Sequence, residues 1–214
     1  DGTVPKNKRM QYLSIVSQEM QRLKILISSM LNLTKFDNGT IEIHYQLFPI
    51  QDLAFRTILM FESRLEKRNI TLEGLDSEPV QVWGDPDLIG QVIYNLFENA
   101  TKFVNTGGTI TFTFKDEPNN TSIAIRNTGA GISKEELPKI FERFYKSDDS
   151  RSHDKTGLGI GLDITKHIVR LHKAQISVSS EEGEYTEFLI RLPKKDAPAE
   201  SPTENPEKQP KDAR

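Results

Sequence analysis

The stretch Asn95-Leu96-Phe97-Glu98-Asn99-Ala100-Thr101-Lys102-Phe103 sets polar groups where a buried helix would ordinarily be apolar. Asn95, Asn99, Lys102 and Phe103 recur at i, i+4, i+7 and i+8, which gathers them on one helical face. Leu88, Ile89, Val92, Ile93, Leu96 and Ala100 form a neighbouring apolar stripe. Such a helix docks on a core by one side and offers amides, an ammonium and a ring from the other. That chemistry suits a nucleotide phosphate and its metal.

Working outward, Asp85-Pro86 starts this helix, with the carboxylate as N-cap and the proline in the first turn. An earlier helix is expected from Pro49 to about Lys67, with Ile50, Leu53, Ala54, Thr57, Ile58, Phe61 and Leu65 inward. Short strands are expected at Ile41–Tyr45, Ile70–Leu75 and Val80–Trp83, then a hairpin of Gly107–Lys115 with Ser122–Asn127. Ile176–Ser180 and Thr186–Leu192 form a last hairpin around Glu181–Glu184. The order lacks strict βαβ alternation. The expected class is therefore α+β: a two-layer α/β sandwich with helices on one face of a mixed, largely antiparallel sheet, preceded by one long helix.

Asn127-Thr128-Gly129-Ala130-Gly131-Ile132 follows the first hairpin, and its two glycines permit either a plain turn or close approach to a ligand. A short helix is expected at Lys134–Lys139, then the cluster Ile140-Phe141-Glu142-Arg143-Phe144-Tyr145 and a polar run, Lys146–Lys155, read as a mobile loop. Thr156-Gly157-Leu158-Gly159-Ile160-Gly161-Leu162 opens a helix to about Lys173. Three glycines directly ahead of an amphipathic helix suit amides converging on anionic oxygens. A flexible hinge would not explain the helix they lead into.

Leu13, Val16, Met20, Leu23, Ile27 and Met30 recur at steps of 3 and 4, a heptad seam on a long helix expected over Lys6–Phe36. Tyr12, Ile15, Leu26 and Leu33 widen its apolar face, so a bundle is expected rather than a helix packed on its own domain. Asn38-Gly39 breaks it, and from Asp196 four prolines among Glu, Lys, Ser and Ala read as a disordered tail. The expected divisions are 1–38, 39–195 and 196–214.

The 214 residues leave room for one core of about 150 residues plus an accessory element. A net charge of -3 without a basic cluster argues against nucleic-acid binding. The absence of cysteine removes disulfide scaffolds, thiolate zinc sites and thiol catalysis, and makes a reducing compartment the simpler expectation. No apolar run approaches the roughly 18 residues of a membrane span, and the N-terminus lacks an apolar signal segment. Without an initiator Met, the chain is expected to be a piece of something longer, with any membrane anchor upstream.

Four ordered boxes resemble those of sensor histidine kinases, in the GHKL group shared with gyrase, the Hsp90 chaperones and MutL. NLFENATKF looks like the N box, NTGAGI the first glycine box, FERFYK the F box and TGLGIGL the second glycine box. The heptad helix looks like the second helix of the dimerisation and phosphotransfer hairpin, so the resemblance spans residues 10 to 192. It implies the GHKL (Bergerat) fold, ATP and Mg²⁺ as ligands, and a homodimer in the intact protein. It also implies a response-regulator receiver domain as partner and a cytoplasmic location within a membrane-anchored sensor.

By the same resemblance Asn99 is the Mg²⁺ ligand, Asn95 supports the phosphate and metal face, Lys102 reaches the phosphates and Phe103 packs on adenine. Asn127 stands at the adenine-recognition position, with Gly129, Gly131 and Ile132 beside it. Phe141, Arg143 and Tyr145 pack or steady an ATP lid, Phe144–Lys155, whose end Thr156, Gly157, Leu158, Gly159 and Gly161 bend around the phosphates. One amide carbonyl is enough protein for Mg²⁺, which commonly takes its other ligands from phosphates and water.

Two departures stand out. The family usually has Asp at position 127, and Asn accepts the same bond without charge, so weaker or less base-selective adenine recognition is expected. The family's phosphoacceptor, a His followed by an acidic residue, does not occur here; His44, His153, His167 and His172 read as surface or packing residues. The chain is thus expected to bind Mg-ATP without phosphorylating itself. A GHKL-type hydrolase is the alternative, but those relatives carry Glu at the position of Asn95, an amide is no base, and Glu98 is expected to point off the Asn95/Asn99/Lys102 face. A third reading is a nucleotide-gated binding module that has lost its chemistry.

Overall fold

Period-two alternation decides which side of each strand is covered. The computed structural model describes residues 8, 12, 13, 15–17, 20, 23, 27, 42–146 and 159–195. Ile110, Phe112 and Phe114 of β4 (Thr109–Asp116), Ile123 and Ile125 of β5 (Asn120–Thr128), and Phe188, Ile190 and Leu192 of β7 (Tyr185–Pro193) are all buried. With β2 (Thr71–Glu73) and β6 (Gln175–Glu181) these strands form a five-stranded sheet in the order β2-β4-β5-β7-β6. β2 pairs with β4 in parallel, and the other three pairings are antiparallel. The class is the expected α+β.

Helices α1 (Ile50–Lys67), α2 (Pro86–Phe103) and α3 (Gly161–Leu171) supply the second layer. α2 is the central one: Leu88, Ile89, Val92, Ile93, Leu96, Phe97 and Ala100 are buried, as its apolar stripe requires. The Phe97 ring lies 5.5 Å from Phe112 of the sheet and 5.4 Å from Phe61 of α1, tying both layers and two helices together. At its start Asp85 accepts hydrogen bonds from the N–H groups of Asp87 (3.0 Å) and Leu88 (3.2 Å), the expected N-cap. At its end the Arg68 guanidinium donates to the carbonyls of Thr101 (2.6 Å) and Val104, capping orphan acceptors with a cation.

Two local expectations need correction. The strand expected at Ile41–Tyr45 falls instead at β1 (Gln46–Pro49), which pairs with β3 (Gln81–Gly84) in a separate two-stranded sheet. The preceding backbone is used otherwise: the His44 N–H donates to Asp85 Oδ2 (2.9 Å), not to a strand partner. The helix expected at Lys134–Lys139 is a succession of turns, with Leu137 N–H on Ser133 O (3.1 Å) and Lys139 N–H on Glu136 O (2.8 Å). Pro138 has no N–H with which to continue a helical ladder.

Leu13, Val16, Met20, Leu23 and Ile27 of the heptad seam are helical, with 49–63% of their surface exposed. Met30, Asn38-Gly39 and the segment from Asp196 lie outside the described residues, as do Thr156, Gly157, Leu158 and His153. Among the described residues no helix is long and apolar enough to cross a membrane.

Candidate functional site

The polar face of α2 meets the start of α3. Asn95 is buried, and its Nδ2 donates to Gly161 O (3.0 Å) and Thr165 Oγ1 (3.3 Å), so the amide holds the first turn of α3. One turn on, Asn99 is half-buried, and its side chain has no hydrogen-bond partner among the described residues. Two amides one turn apart are therefore used differently: one ties the elements together, and the next has no side-chain partner among the described residues.

Lys102 lies 3.2 Å from Glu98 Oε1, with about a fifth of each side chain exposed (19% and 24%). The expectation that Glu98 would diverge is thus corrected. It stands four residues before Lys102, the step that brings side chains together, and its carboxylate meets the ammonium.

Sheet and turn close the site from the other side. Asn127 continues the buried face of Ile123 and Ile125, with Ile110 and Thr186 as register neighbours. An apolar row thereby becomes polar at the end of the sheet near α2. The Asn127 Nδ2 donates to Thr128 O (3.1 Å), leaving the amide oxygen as the available acceptor. Gly129 passes so close to half-buried Phe103 that a Cβ would lie 2.2 Å from the Phe103 carbonyl oxygen. Gly131 has φ +72° and would place a Cβ 2.2 Å from Glu181 O, so a side chain is barred twice over. Ile132 N–H donates to Ser180 Oγ (2.8 Å), pinning this turn to β6.

The FERFY cluster packs beside these elements. Phe141 sets its ring edge-on to Phe188 at 6.3 Å, and the Tyr145 hydroxyl donates to Glu136 Oε1 (3.3 Å). Arg143 Nε donates to Asp163 Oδ2 (3.0 Å). The Phe144 N–H donates to Gly159 O (3.0 Å), so the chain before residue 147 and the chain returning at residue 159 are joined.

Sequence reasoning missed Arg68, Asp163 and Thr165. Each acts on backbone or side chains distant in sequence, and only the spacing of Asp163 ahead of His167 was visible. His167 Nδ1 lies 3.3 Å from Asp163 Oδ1. Among the described residues no cluster of three His, Cys, Asp or Glu could hold a metal unaided. A metal here would rest on Asn99 and on phosphate oxygens, which suits a hard cation such as Mg²⁺.

At the far end of the same helix pair, His172 is buried. Its Nδ1 hydrogen-bonds Ile168 O (2.8 Å) and its Nε2 accepts the Asp85 N–H (3.0 Å), which requires the neutral ring. Burial lowers its pKa against the opposing effects of the Ile168 carbonyl and the Asp85 carboxylate. Tyr45 lies edge-on to His172 (5.4 Å) and stacks on Trp83 (5.7 Å); burial, then Asp85, raises its pKa.

The family described as "Histidine kinase-, DNA gyrase B-, and HSP90-like ATPase" matches residues 84–196, more than half of the chain. "Sensor protein SrrB" of Staphylococcus aureus is 33% identical over 183 residues, covering 85% of this chain and 31% of the relative. The chain therefore spans about a third of the length of the curated relatives it matches. The catalytic domain of histidine kinase ThkA superposes with a TM-score of 0.61 at 27% identity, over 70% of this chain and 95% of that one. Histidine kinase ThkA in complex with response regulator protein TrrA shares the fold at TM-score 0.62 and 24% identity, over 89% of this chain and 52% of that one. The chain belongs to the histidine kinase-, DNA gyrase B- and HSP90-like ATPase family, as the catalytic part of a sensor histidine kinase.

Proposed function

We propose that this chain binds Mg-ATP on the α2 face and presents the γ-phosphoryl to a histidine outside the chain, for relay to the aspartate of a response-regulator receiver domain. The observation that supports this is the Asn95 contact: the amide that opens the polar face also anchors the first turn of α3, bringing Gly161, the last glycine of the second glycine box, against it. The division of the chain follows the same reading. Residues 1–38 would belong to a dimerisation and phosphotransfer hairpin and 39–195 to the ATP-binding domain, while 196–214 lie outside the described residues. The exposed heptad seam supports homodimerisation in the intact protein, and this part acts on the cytoplasmic side of a membrane-anchored sensor.

The Asn99 carbonyl would hold Mg²⁺, which neutralises phosphate charge when bound. Lys102 exchanges Glu98 for the phosphates, a local swap of one anion for another. The Asn127 oxygen accepts from the adenine amino group, and Phe103 packs on the base. Gly129, Gly131 and Ile132 shape that wall; Phe141, Arg143 and Tyr145 steady the segment that Thr156, Gly157, Leu158, Gly159 and Gly161 complete. Catalysis is then positioning and charge neutralisation.

Calorimetric titration with ATP, with and without Mg²⁺, tests the site: Mg²⁺-dependent binding is expected, and its absence would leave only a binding module without nucleotide. Incubation with γ-labelled ATP is expected to leave no acid-labile label on the chain. The placement of Glu98 beside Lys102 keeps the hydrolase reading open. Steady ATP hydrolysis that collapses in Glu98→Gln would establish that alternative.

A further inference from the structure

We propose that Asp163 is a positioning residue of the nucleotide site, acting through Arg143 to fix the two chain segments that meet at Phe144 and Gly159. This rests on the nucleotide reading above.

Asp163 is the third residue of α3, and its side chain is only 9% exposed. A buried carboxylate persists when it is paired, and the positive end of a helix adds to its stabilisation. Its partners come from two elements: Arg143 Nε at 3.0 Å and His167 Nδ1 at 3.3 Å. Arg143 itself is 39% exposed, so the pair is not a core element, and an ion pair with an exposed partner contributes little stability. What distinguishes it is where it sits. The next residue, Phe144, has φ +66°, a left-handed conformation that a bulky residue holds only when its surroundings impose it. Its N–H bonds Gly159 O (3.0 Å), and Gly159 is itself left-handed at φ +68°, where a Cβ would lie 2.7 Å from Tyr145 O. Two residues on, the Gly161 carbonyl is held by Asn95. A continuous set of contacts thus runs from Asp163 through Arg143, Phe144 and Gly159 to the α2 face.

Calorimetric Mg-ATP titration of the parent, Asp163→Asn, Arg143→Gln and the double variant tests this, each well below its unfolding midpoint in the absence of nucleotide. Each single substitution is expected to raise the dissociation constant roughly three- to tenfold, and the double no further than the larger single, because both remove one interaction. Asp163→Glu, which retains the carboxylate, is expected to recover part of the affinity. A merely structural pair would lower the unfolding midpoint and leave the affinity of the folded protein at the parent value. That result overturns the proposal, as does a double variant whose loss is the product of the two singles. If Asp163→Asn does not fold, Arg143→Gln on the half-exposed partner carries the same comparison with Arg143→Lys, expected to lie between it and the parent. A parent that does not bind Mg-ATP overturns the nucleotide reading and this one with it; a binding parent with unchanged variants overturns only the role of the pair.

Discussion

α2 and α3 run antiparallel, and they are joined at both ends by a side chain on a distant backbone group: Asn95 on the Gly161 carbonyl at one end, His172 on the Asp85 N–H at the other. The ends differ in what surrounds the joint. Around His172 the space is closed by Tyr45 and Trp83, and the Asp85 carboxylate is taken up by three N–H groups. Around Asn95 the next groups along are Asn99, Lys102 paired with Glu98, and the turn at Asn127, where amide oxygens are left over as acceptors. The lesson is that one structural device, a side chain clamping a helix end, sits among saturated polar groups at one end and beside polar groups with acceptors left over at the other, the difference that the proposed binding role uses.

If that contrast holds, substitutions at the two ends separate affinity from stability. Asn99→Ala is expected to lose at least about 100-fold in Mg²⁺-dependent ATP affinity, since even residues behind a metal ligand are worth roughly 10–100-fold. Thermal unfolding without nucleotide should barely move, and a large drop there would show that Asn99 belongs to the fold instead. At the other end, His172→Phe keeps the ring volume but strands the Asp85 N–H. A loss of about 1–3 kcal/mol in denaturant unfolding is expected, with ATP affinity retained. Reduced affinity in the folded variant would mean that the two ends are not independent.

The same histidine gives the rear joint a pH dependence. Its native pKa is lowered from 6.5, so below that pH the unfolded chain binds a proton that the native one refuses. Stability conferred by this group is complete above pH 6.5 and falls as the pH drops toward the native pKa, by at most about 1.4 kcal/mol per pH unit. Burial of the ring drives the shift, and the Ile168 carbonyl and the Asp85 carboxylate oppose it, with Tyr45 edge-on to the ring. Unfolding curves of parent and His172→Phe between pH 7 and 5 check it: parallel curves would contradict the assignment. The mildest change concerns base recognition. Asn127→Asp is expected to tighten ATP binding several-fold, because a charge-assisted hydrogen bond is about twice as strong as a neutral one. Calorimetry showing no gain would mean that the buried Asn127 does not contact adenine.

Much of this was legible from spacing. The period of α2 located both its buried stripe and its polar face, and Asp85-Pro86 located its start, because local capping and helical periodicity depend on neighbours in sequence. The alternation in β4, β5 and β7 likewise identified the covered side of the sheet. Failures came where a distant partner competed for the backbone. Tyr45 and His44 alternate like a strand, yet that segment serves the Asp85 cap and the His172 joint. Glu98 was assigned by its angle on the helix, whereas side-chain reach brought it to Lys102.

The sequence by itself determined the α+β class, the polar side of α2 and the position of the two glycine segments along the chain, since these follow from residue type and short-range periodicity. Only the tertiary structure decided that Asn95 clamps α3 while Asn99 is left half-buried without a side-chain partner among the described residues, that Arg68 caps the end of α2, and that Asp163 holds Arg143. Identical amides and ordinary charges acquire those separate roles from which backbone groups lie within about 3 Å of them, and that proximity is set by long-range packing, which no local pattern encodes.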